Sequence, residues 1–158
     1  HSAAACRPGP AARRSAAART LPATLGVVPE ILRNSLGMVI RESQLVIFKR
    51  SALPILIEAE LFDFLDRFDA LLPQLLRREL SLLMDMREGP MRNEPEYEAL
   101  MQQALLRMGT GFRRLAVLMK SSVGMLQASR LRRERGGIAA ALRPFQSEQE
   151  ARDYLLAH

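Results

Sequence analysis

Residues 80–101 read LSLLMDMREGPMRNEPEYEALM and join a short apolar run, a polar turn and the start of a helix. The apolar run from Leu80 to Met86 is interrupted only by Ser81 and Asp85, which is typical of a strand that is covered on both faces. A strand followed by a turn and a helix is a βα unit, and we expect this one to lie in the middle of a sheet.

The helix of this unit is predicted to begin near Glu94. Asn93 is a favourable N-cap residue, and Pro95 suits the first turn because the N–H that it lacks would have no partner there. Apolar residues then recur at spacings of three and four, which gives the helix one face that can pack on the sheet. These residues are Tyr97, Leu100, Met101, Ala104, Leu105 and Met108.

The rest of the chain continues this alternation of strands and helices. Upstream of the central unit the pattern predicts a β-hairpin and a helix, at residues 38–50 and 57–72. Downstream it predicts a strand, a helix, a short strand and a last helix, at residues 114–119, 123–135, 138–142 and from Ser147 onward. We therefore predict an α/β fold with a mixed, mostly parallel sheet of four to five strands and about four packed helices.

Length and composition indicate one globular domain. A chain of 158 residues with 48% hydrophobic content can bury a core without a metal ion or a disulfide. It contains no apolar run near the ~20 residues that a membrane span needs. Cys6 is the single cysteine and forms no internal disulfide. We therefore expect a cytoplasmic protein.

Residues 1–37 are rich in Ala, Arg and Pro and show no sustained periodicity, so we expect a disordered extension that precedes a domain at 38–158. They hold five arginines and one acidic residue, and most of the net charge of +6 belongs to them. Their composition also fits a transit peptide, and residues 3–6 weakly match a lipoprotein cleavage site. A simpler hypothesis is that the natural protein starts at Met38.

A family resemblance rests on three segments, LLMDMREGPMRNEPEYEALM at 82–101, FRRLAVLMKSSVGMLQASRLRRE at 112–134 and RPFQSEQEARDYL at 143–155. Together they resemble the small bacterial STAS-like domains, also described as SpoIIAA-like and related in fold to CRAL-TRIO lipid-binding domains. The resemblance covers about residues 38–158. It implies a mixed sheet packed against helices, commonly in non-enzymatic proteins that regulate by protein contact or bind small ligands.

The turn after the central strand departs from one branch of this family. STAS-domain anti-sigma factor antagonists switch through a phosphorylatable serine in an Asp-Ser pair at the start of a helix. Here residues 87–93 read REGPMRN and contain no hydroxyl residue. Phosphorylation at that position is therefore not expected, and the partner-switching mechanism does not transfer directly.

Polar residues follow two of the predicted strands, at the edge where sheets of this type usually bind ligands or partners. The candidate ligand- or partner-binding residues are Asp85, Arg87, Arg92, Asn93, Lys120, Ser121 and Ser122. One hypothesis is an anion site, because Ser122 would begin a helix whose free N–H groups attract negative charge, near Arg87 and Lys120. The simpler interpretation, which we favour, makes Asn93 and Ser122 ordinary N-caps and pairs Asp85 with an arginine or a backbone donor.

Catalytic and metal-binding patterns are missing from the sequence. His1 and His158 lie at opposite ends, and the chain has no Cys-x-x-Cys pair, no His-x-x-x-His pair and no Gly-rich loop after a strand. We therefore expect a non-enzyme that needs no cofactor. The arginines of residues 130–135 lack interleaved aromatic residues, which argues against a nucleic-acid interface.

Two functions remain. The preferred hypothesis is a regulatory or protein-interaction module that docks a partner protein or a second copy of itself, and it predicts an exposed apolar patch. The alternative is a carrier or sensor of a lipophilic or anionic small ligand. It predicts an internal cavity bounded by Phe62, Phe64, Phe68, Met101 and Met119.

Overall fold

The computed structural model describes residues 29–54, 57–90, 92 and 94–158 of the chain. Within them one six-stranded sheet carries its strands in chain order. The strands are β1 (Glu30–Arg33), β2 (Gly37–Glu42), β3 (Leu45–Arg50), β4 (Ser81–Asp85), β5 (Arg114–Leu118) and β6 (Leu142–Phe145). The helices are α1 (Glu58–Leu71), α2 (Gln74–Arg77), α3 (Pro95–Gly109), α4 (Ser122–Arg135), α5 (Gly137–Ala141) and α6 (Glu148–Leu156).

The sheet is mixed, as the sequence predicts. Strands β1, β2 and β3 pair antiparallel, whereas β3, β4, β5 and β6 all run parallel. The described part holds six strands and six helices, which is more of each than predicted. The additional elements are β1 and α2, with four residues each, and α5, with five. Such short elements show no complete hydrophobic period.

Strand β4 is buried along its whole length. Leu82 and Met84 point to the face that α1 and α3 cover, where they join Phe64 and Met108 in the larger core cluster. Leu83 points to the opposite face, where α6 packs. Successive side chains of a strand alternate between faces, so a strand covered on both faces reads as a continuous apolar run.

Helix α6 covers the second face of the sheet. Its buried residues Ala151 and Leu155 pack with Leu83 of β4. Two side chains of the sheet bind the carbonyl groups at its carboxyl end: the Ser81 hydroxyl donates to the Leu155 oxygen at 2.9 Å, and Arg114 donates to the Tyr154 oxygen at 2.7 Å. Ser147 caps the other end by accepting a hydrogen bond from the Glu150 N–H, which agrees with a last helix that starts at Ser147.

The predicted domain boundary at Met38 is wrong. Strand β1 lies before it and pairs with β2, with Leu32 opposite Val39. Leu32 and Leu36 are both buried in the core, so a chain that started at Met38 would lack them. Charged residues at both ends of this short edge strand obscure its pattern. The disorder predicted for residues 1–28 lies outside the described residues.

The predicted strand at residues 138–142 is also wrong, because residues 137–141 form helix α5 and the strand β6 follows it. Gly136 and Gly137 both have positive φ angles, and they separate α4 from α5. The alanines that follow favour a helical turn over a strand. Pro144 is tolerated in β6 because this strand lies at the edge of the sheet.

Replacing Leu155 by Ala should destabilise the protein by about 2–5 kcal/mol, because the change leaves a cavity between α6 and the sheet. The neighbouring Leu156 is 42% exposed, whereas Leu155 is fully buried. Leu156→Ala is therefore a matched control that should cost less than about 0.5 kcal/mol. Urea unfolding of both variants measures the two free energies, and equal losses would contradict the packing of α6 described above.

Candidate functional site at the carboxyl edge of the sheet

Four parallel strands end together at one edge of the sheet. The register aligns Lys49 of β3 with Asp85 of β4, and Asp85 with Leu118 of β5. Leu118 in turn lies opposite Phe145 of β6. The polar residues that follow these strands, together with the start of α6 at Glu148, therefore surround this edge.

Asp85 is held by Arg87. Both carboxylate oxygens of Asp85 accept bonds from the guanidinium, at 2.9 Å from Nε and 2.8 Å from Nη2, and the Arg87 backbone N–H adds a third bond at 3.2 Å. The Asp85 side chain is 11% exposed. This arrangement is a bidentate ion pair, and it confirms that Asp85 pairs with an arginine.

The ion pair continues into a chain of alternating charges. Arg87 Nη2 also donates to Glu148 Oε2 at 3.0 Å. Glu148 accepts a second bond from Arg152 at 3.0 Å, and Arg152 reaches Glu42 of β2 at 2.6 Å. Two arginines thus pair with three carboxylates, and the positive charge of Arg87 is already compensated by Asp85 and Glu148.

The pKa values of the two central carboxyl groups reflect this chain. Burial alone raises the pKa of Asp85, but the hydrogen bonds from the side chain and backbone of Arg87 outweigh burial and hold that pKa below its usual range. Arg152, with a smaller contribution from Arg87, holds the pKa of Glu148 below its usual range despite partial burial. Both groups are carboxylates at neutral pH.

The second predicted group, Lys120 to Ser122, follows β5, whose last residue Leu118 lies opposite Asp85. Ser121 is the N-cap of α4, since its hydroxyl accepts a bond from the Gly124 N–H at 3.2 Å. The predicted N-cap, Ser122, is instead the first helical residue and is exposed, as is Lys120. Two adjacent serines fit the same capping pattern, so the sequence does not distinguish them. Neither serine nor Lys120 hydrogen-bonds to Asp85 or Arg87 within the described chain.

Arg92 belongs to a third group. Its guanidinium binds Glu94 at 2.9 Å and lies 4.6 Å from the centre of the Tyr97 ring. The N-cap of α3 is Glu94 and not the predicted Asn93, which lies outside the described residues. Among the predicted site residues that the structure describes, hydrogen bonds join only Asp85 and Arg87.

The sequence analysis missed Arg50, the last residue of β3. Arg50 is 2% exposed, and its two Nη atoms donate to the backbone oxygens of Leu36, Ser51 and Leu53 at 2.7–2.8 Å. Its Nε has no hydrogen-bond partner among the described residues. Within the described chain, no carboxylate forms an ion pair with it. The only signal in the sequence is a basic residue at the end of an apolar strand.

The other buried arginine, Arg77, has a quite different environment. It forms an ion pair with Asp69 and is 1% exposed. Its guanidinium also lies 5.0 Å from the Phe68 ring centre and 5.4 Å from that of Phe112. Arg77 therefore has a counter-ion and two aromatic faces, whereas Arg50 has only dipoles around it.

Two of the residues predicted to bound a cavity, Phe64 and Phe68, pack on each other, and Phe62 and Met119 are partly buried against the same core cluster. Phe64 and Phe68 are fully buried, and their ring centres lie 6.5 Å apart. Phe64 also contacts Phe48 at 5.6 Å, and Phe68 contacts Phe112 at 6.3 Å. These rings occupy the space between α1 and the sheet where the carrier hypothesis expects a ligand.

In the part of the chain that the structure describes, no three His, Cys, Asp or Glu side chains are grouped as metal ligands. Among the described helices, none is both long and apolar enough to cross a bilayer.

Comparison with known proteins identifies the fold. Neither a family model nor a curated protein matches the chain. A crystal structure from Shewanella loihica PV-4 does match it, that of an uncharacterised protein from the DUF3478 family with a SpoIIAA-like fold. The two chains share 17% identity, the match covers 74% of this chain and 90% of that chain, and the TM-score is 0.51. The protein therefore has a SpoIIAA-like fold, as the sequence resemblance implied, and the likeness extends to the fold alone.

Replacing Arg87 by Met should lower the free energy of unfolding at pH 7 by about 1–3 kcal/mol, because it leaves the nearly buried Asp85 carboxylate without its main donor. A carboxyl group whose pKa is lower in the folded protein than in the unfolded chain stabilises the fold. That stabilisation is fully present above the unfolded-state pKa of about 4, and it is lost as pH falls through the folded-state pKa. The difference between the variant and the wild type should therefore shrink at pH 3.

Arg67→Met is the matched control. Arg67 pairs with Asp63 at 4.0 Å, and both side chains are more than half exposed. This change should cost less than about 0.5 kcal/mol. Urea unfolding at pH 7 and pH 3 measures all of these values, and an Arg87→Met deficit that does not change with pH would contradict the account of the ion pair.

Proposed function

We propose that the protein is a non-enzymatic regulatory module of the STAS-like type. It works by docking a partner protein on helix α4, and the surface that this partner presents is acidic and apolar. The observation behind this proposal is the exposure of two large apolar residues on that helix. Val123 is 58% exposed and Leu126 is 69% exposed. They are three residues apart and therefore lie on the same face of the helix.

Helix α4 is weakly embedded in the domain. Its single buried residue is Gly124, whereas α1, also of 14 residues, buries Leu61, Phe64, Leu65 and Phe68. Burying a Val or Leu side chain in an interface contributes about 1.5–3 kcal/mol relative to its exposed state. An exposed apolar face on a helix that contributes little to the core favours a role in binding.

The chemistry of the partner follows from the charges beside this face. Arg132, Arg133 and Arg135 lie in the last turn of α4. A surface concavity of about 410 Å³ between α4 and α5 is lined by Leu126, Ser129, Arg132, Arg133 and Ala140. A matching partner would insert an apolar side chain beside Leu126 and place carboxylates near the arginines.

Other features of the chain support a binding role over catalysis. At the carboxyl edge, Asp85 and Glu148 are both ion-paired with Arg87, so none of the three is a free acid or base. The resemblance to STAS-like domains, which commonly regulate by protein contact, supports the same reading. The turn at residues 87–93 has no hydroxyl group, so control by serine phosphorylation at that turn is not part of the proposal. We place this activity in the cytoplasm.

The alternative function, a carrier with a CRAL-TRIO-like pocket, has less support. The aromatic side chains that would bound the pocket are stacked in the core, with Phe64 and Phe68 both fully buried. A lipophilic ligand would have to displace packed rings at a cost of several kcal/mol, about that of a severe core substitution.

Leu126→Asp should abolish docking, while Leu75→Asp, at a 77% exposed position on α2, should leave it intact. Proteins captured from a native extract by the full chain are purified, and their affinity for each variant is measured by calorimetry. We expect at least about tenfold weaker binding for Leu126→Asp, equivalent to about 1.4 kcal/mol. Arg133→Glu should slow association, and the effect should diminish as salt is added.

The outcomes separate the possibilities. Equal binding of a captured partner to the wild type and to Leu126→Asp would contradict docking on α4. A concentration-dependent dimer that Leu126→Asp abolishes, seen by sedimentation of the isolated protein, would replace the partner with a second copy of the chain.

A further inference from the structure

We propose that Arg50, Tyr97 and Arg92 form a binding site for a phosphate-type oxyanion next to the carboxyl end of β3. The site is separate from α4 and from the Asp85–Arg87 pair. The proposal rests on a buried positive charge that has no counter-ion and on two further donors that lie beside it.

The first step is the electrostatic state of Arg50. A buried guanidinium costs several kcal/mol to desolvate, on the order of the penalty for any buried ion, unless a negative group or a full set of hydrogen bonds compensates it. Carbonyl oxygens bind the Nη atoms of Arg50, but Nε donates to no acceptor in the part of the chain that the structure describes. Arg77, which is equally buried, has Asp69 as its counter-ion. An anion would supply to Arg50 what Asp69 supplies to Arg77.

The second step is the position of Tyr97 in the first turns of α3. The Tyr97 hydroxyl oxygen lies 3.5 Å from Arg50 Nη2, from which it accepts a weak hydrogen bond. A hydroxyl that accepts in this way keeps its own hydrogen for a further acceptor. Arg50 Nε–H and Tyr97 O–H are therefore two neighbouring donors, and each can donate to a bound acceptor.

The third step is the second positive charge. Arg92 lies over the Tyr97 ring, with its guanidinium carbon 4.6 Å from the ring centre. It binds Glu94 through Nε and Nη2, so its Nη1 group has hydrogen-bonding capacity left. Glu94 is the carboxylate that pairs with Arg92, whereas the salt bridges within the described chain include none to Arg50. An oxyanion would balance the charge of Arg50.

The geometry favours a compact tetrahedral anion. The Arg50 Nε–H and the Tyr97 O–H each donate one hydrogen bond, and they lie on different elements, β3 and α3. An anion with several oxygens on one central atom can accept from both. Since Arg50 is only 2% exposed, binding requires local movement of the side chains around it. We therefore expect slow exchange between the free and bound states.

The test follows the Arg50 Nε–H resonance of the ¹⁵N-labelled full chain by NMR. The resonance is assigned by its loss in Arg50→Lys, and the protein is titrated with inorganic phosphate at constant ionic strength. We expect a saturable change of the Arg50 signal, with no change of the Arg77 signal. No change at Arg50, or the same change with chloride alone, would overturn the proposal.

Two variants keep the test valid if Arg50→Lys does not fold. Tyr97→Phe removes only the hydroxyl and should weaken phosphate binding about fivefold, as expected for one hydrogen bond. Arg92→Ala should also weaken it, whereas Arg78→Ala, at an exposed position directly after α2, should not. Unchanged binding in both Tyr97→Phe and Arg92→Ala would place the anion elsewhere and overturn the site.

A second titration distinguishes the source of the phosphate. Glycerol phosphate that binds at least as tightly as inorganic phosphate would identify a phosphate ester as the ligand, and much weaker binding would identify the free ion. Leu126→Asp should leave phosphate binding unchanged, so failure of the docking proposal and failure of this one are distinguishable.

Discussion

Strand β4 has no exposed residue, and both of its neighbours run parallel to it. Its apolar side chains point alternately to the two faces of the sheet, so each face must be covered by helices. Helices α1 and α3 meet this need on one face, and α6 meets it on the other. The bonds from Ser81 and Arg114 to the last carbonyls of α6 show how closely the second layer is tied to the sheet.

The same parallel arrangement determines where function can lie. Parallel strands bring their carboxyl ends to one edge of the sheet, and the polar residues that follow the strands lie at this edge. At this edge Arg87 is neutralised by Asp85 and Glu148, whereas Arg50 is buried among carbonyl groups without a carboxylate. The two arginines differ in burial, since the Arg87 side chain is 35% exposed and Arg50 is 2% exposed, and they differ in their partners. These differences separate a structural charge from a candidate ligand-binding charge.

Much of the fold could be predicted from the sequence. The apolar run of β4 and the amphipathic spacing of α1 are both long enough to recognise, because they reflect only which residues are buried. The predictions failed where an element is too short to show a period, as for β1, or where glycines redirect the chain, as before α5. The site was harder to predict. Adjacent serines at 121 and 122 fit one cap equally well, and the fact that Arg50 is buried depends on contacts with Leu36 and Tyr97 that are distant in sequence.

The central claim is that a rigid frame built around β4 supports a loosely embedded helix, α4, which is free to dock. Native-state hydrogen exchange of the full chain tests this claim most directly. The account predicts that the β4 amides exchange only through global unfolding, whereas amides in α4 exchange through local opening at a lower free energy. Exchange of the β4 amides by local opening as easily as those of α4 would contradict it.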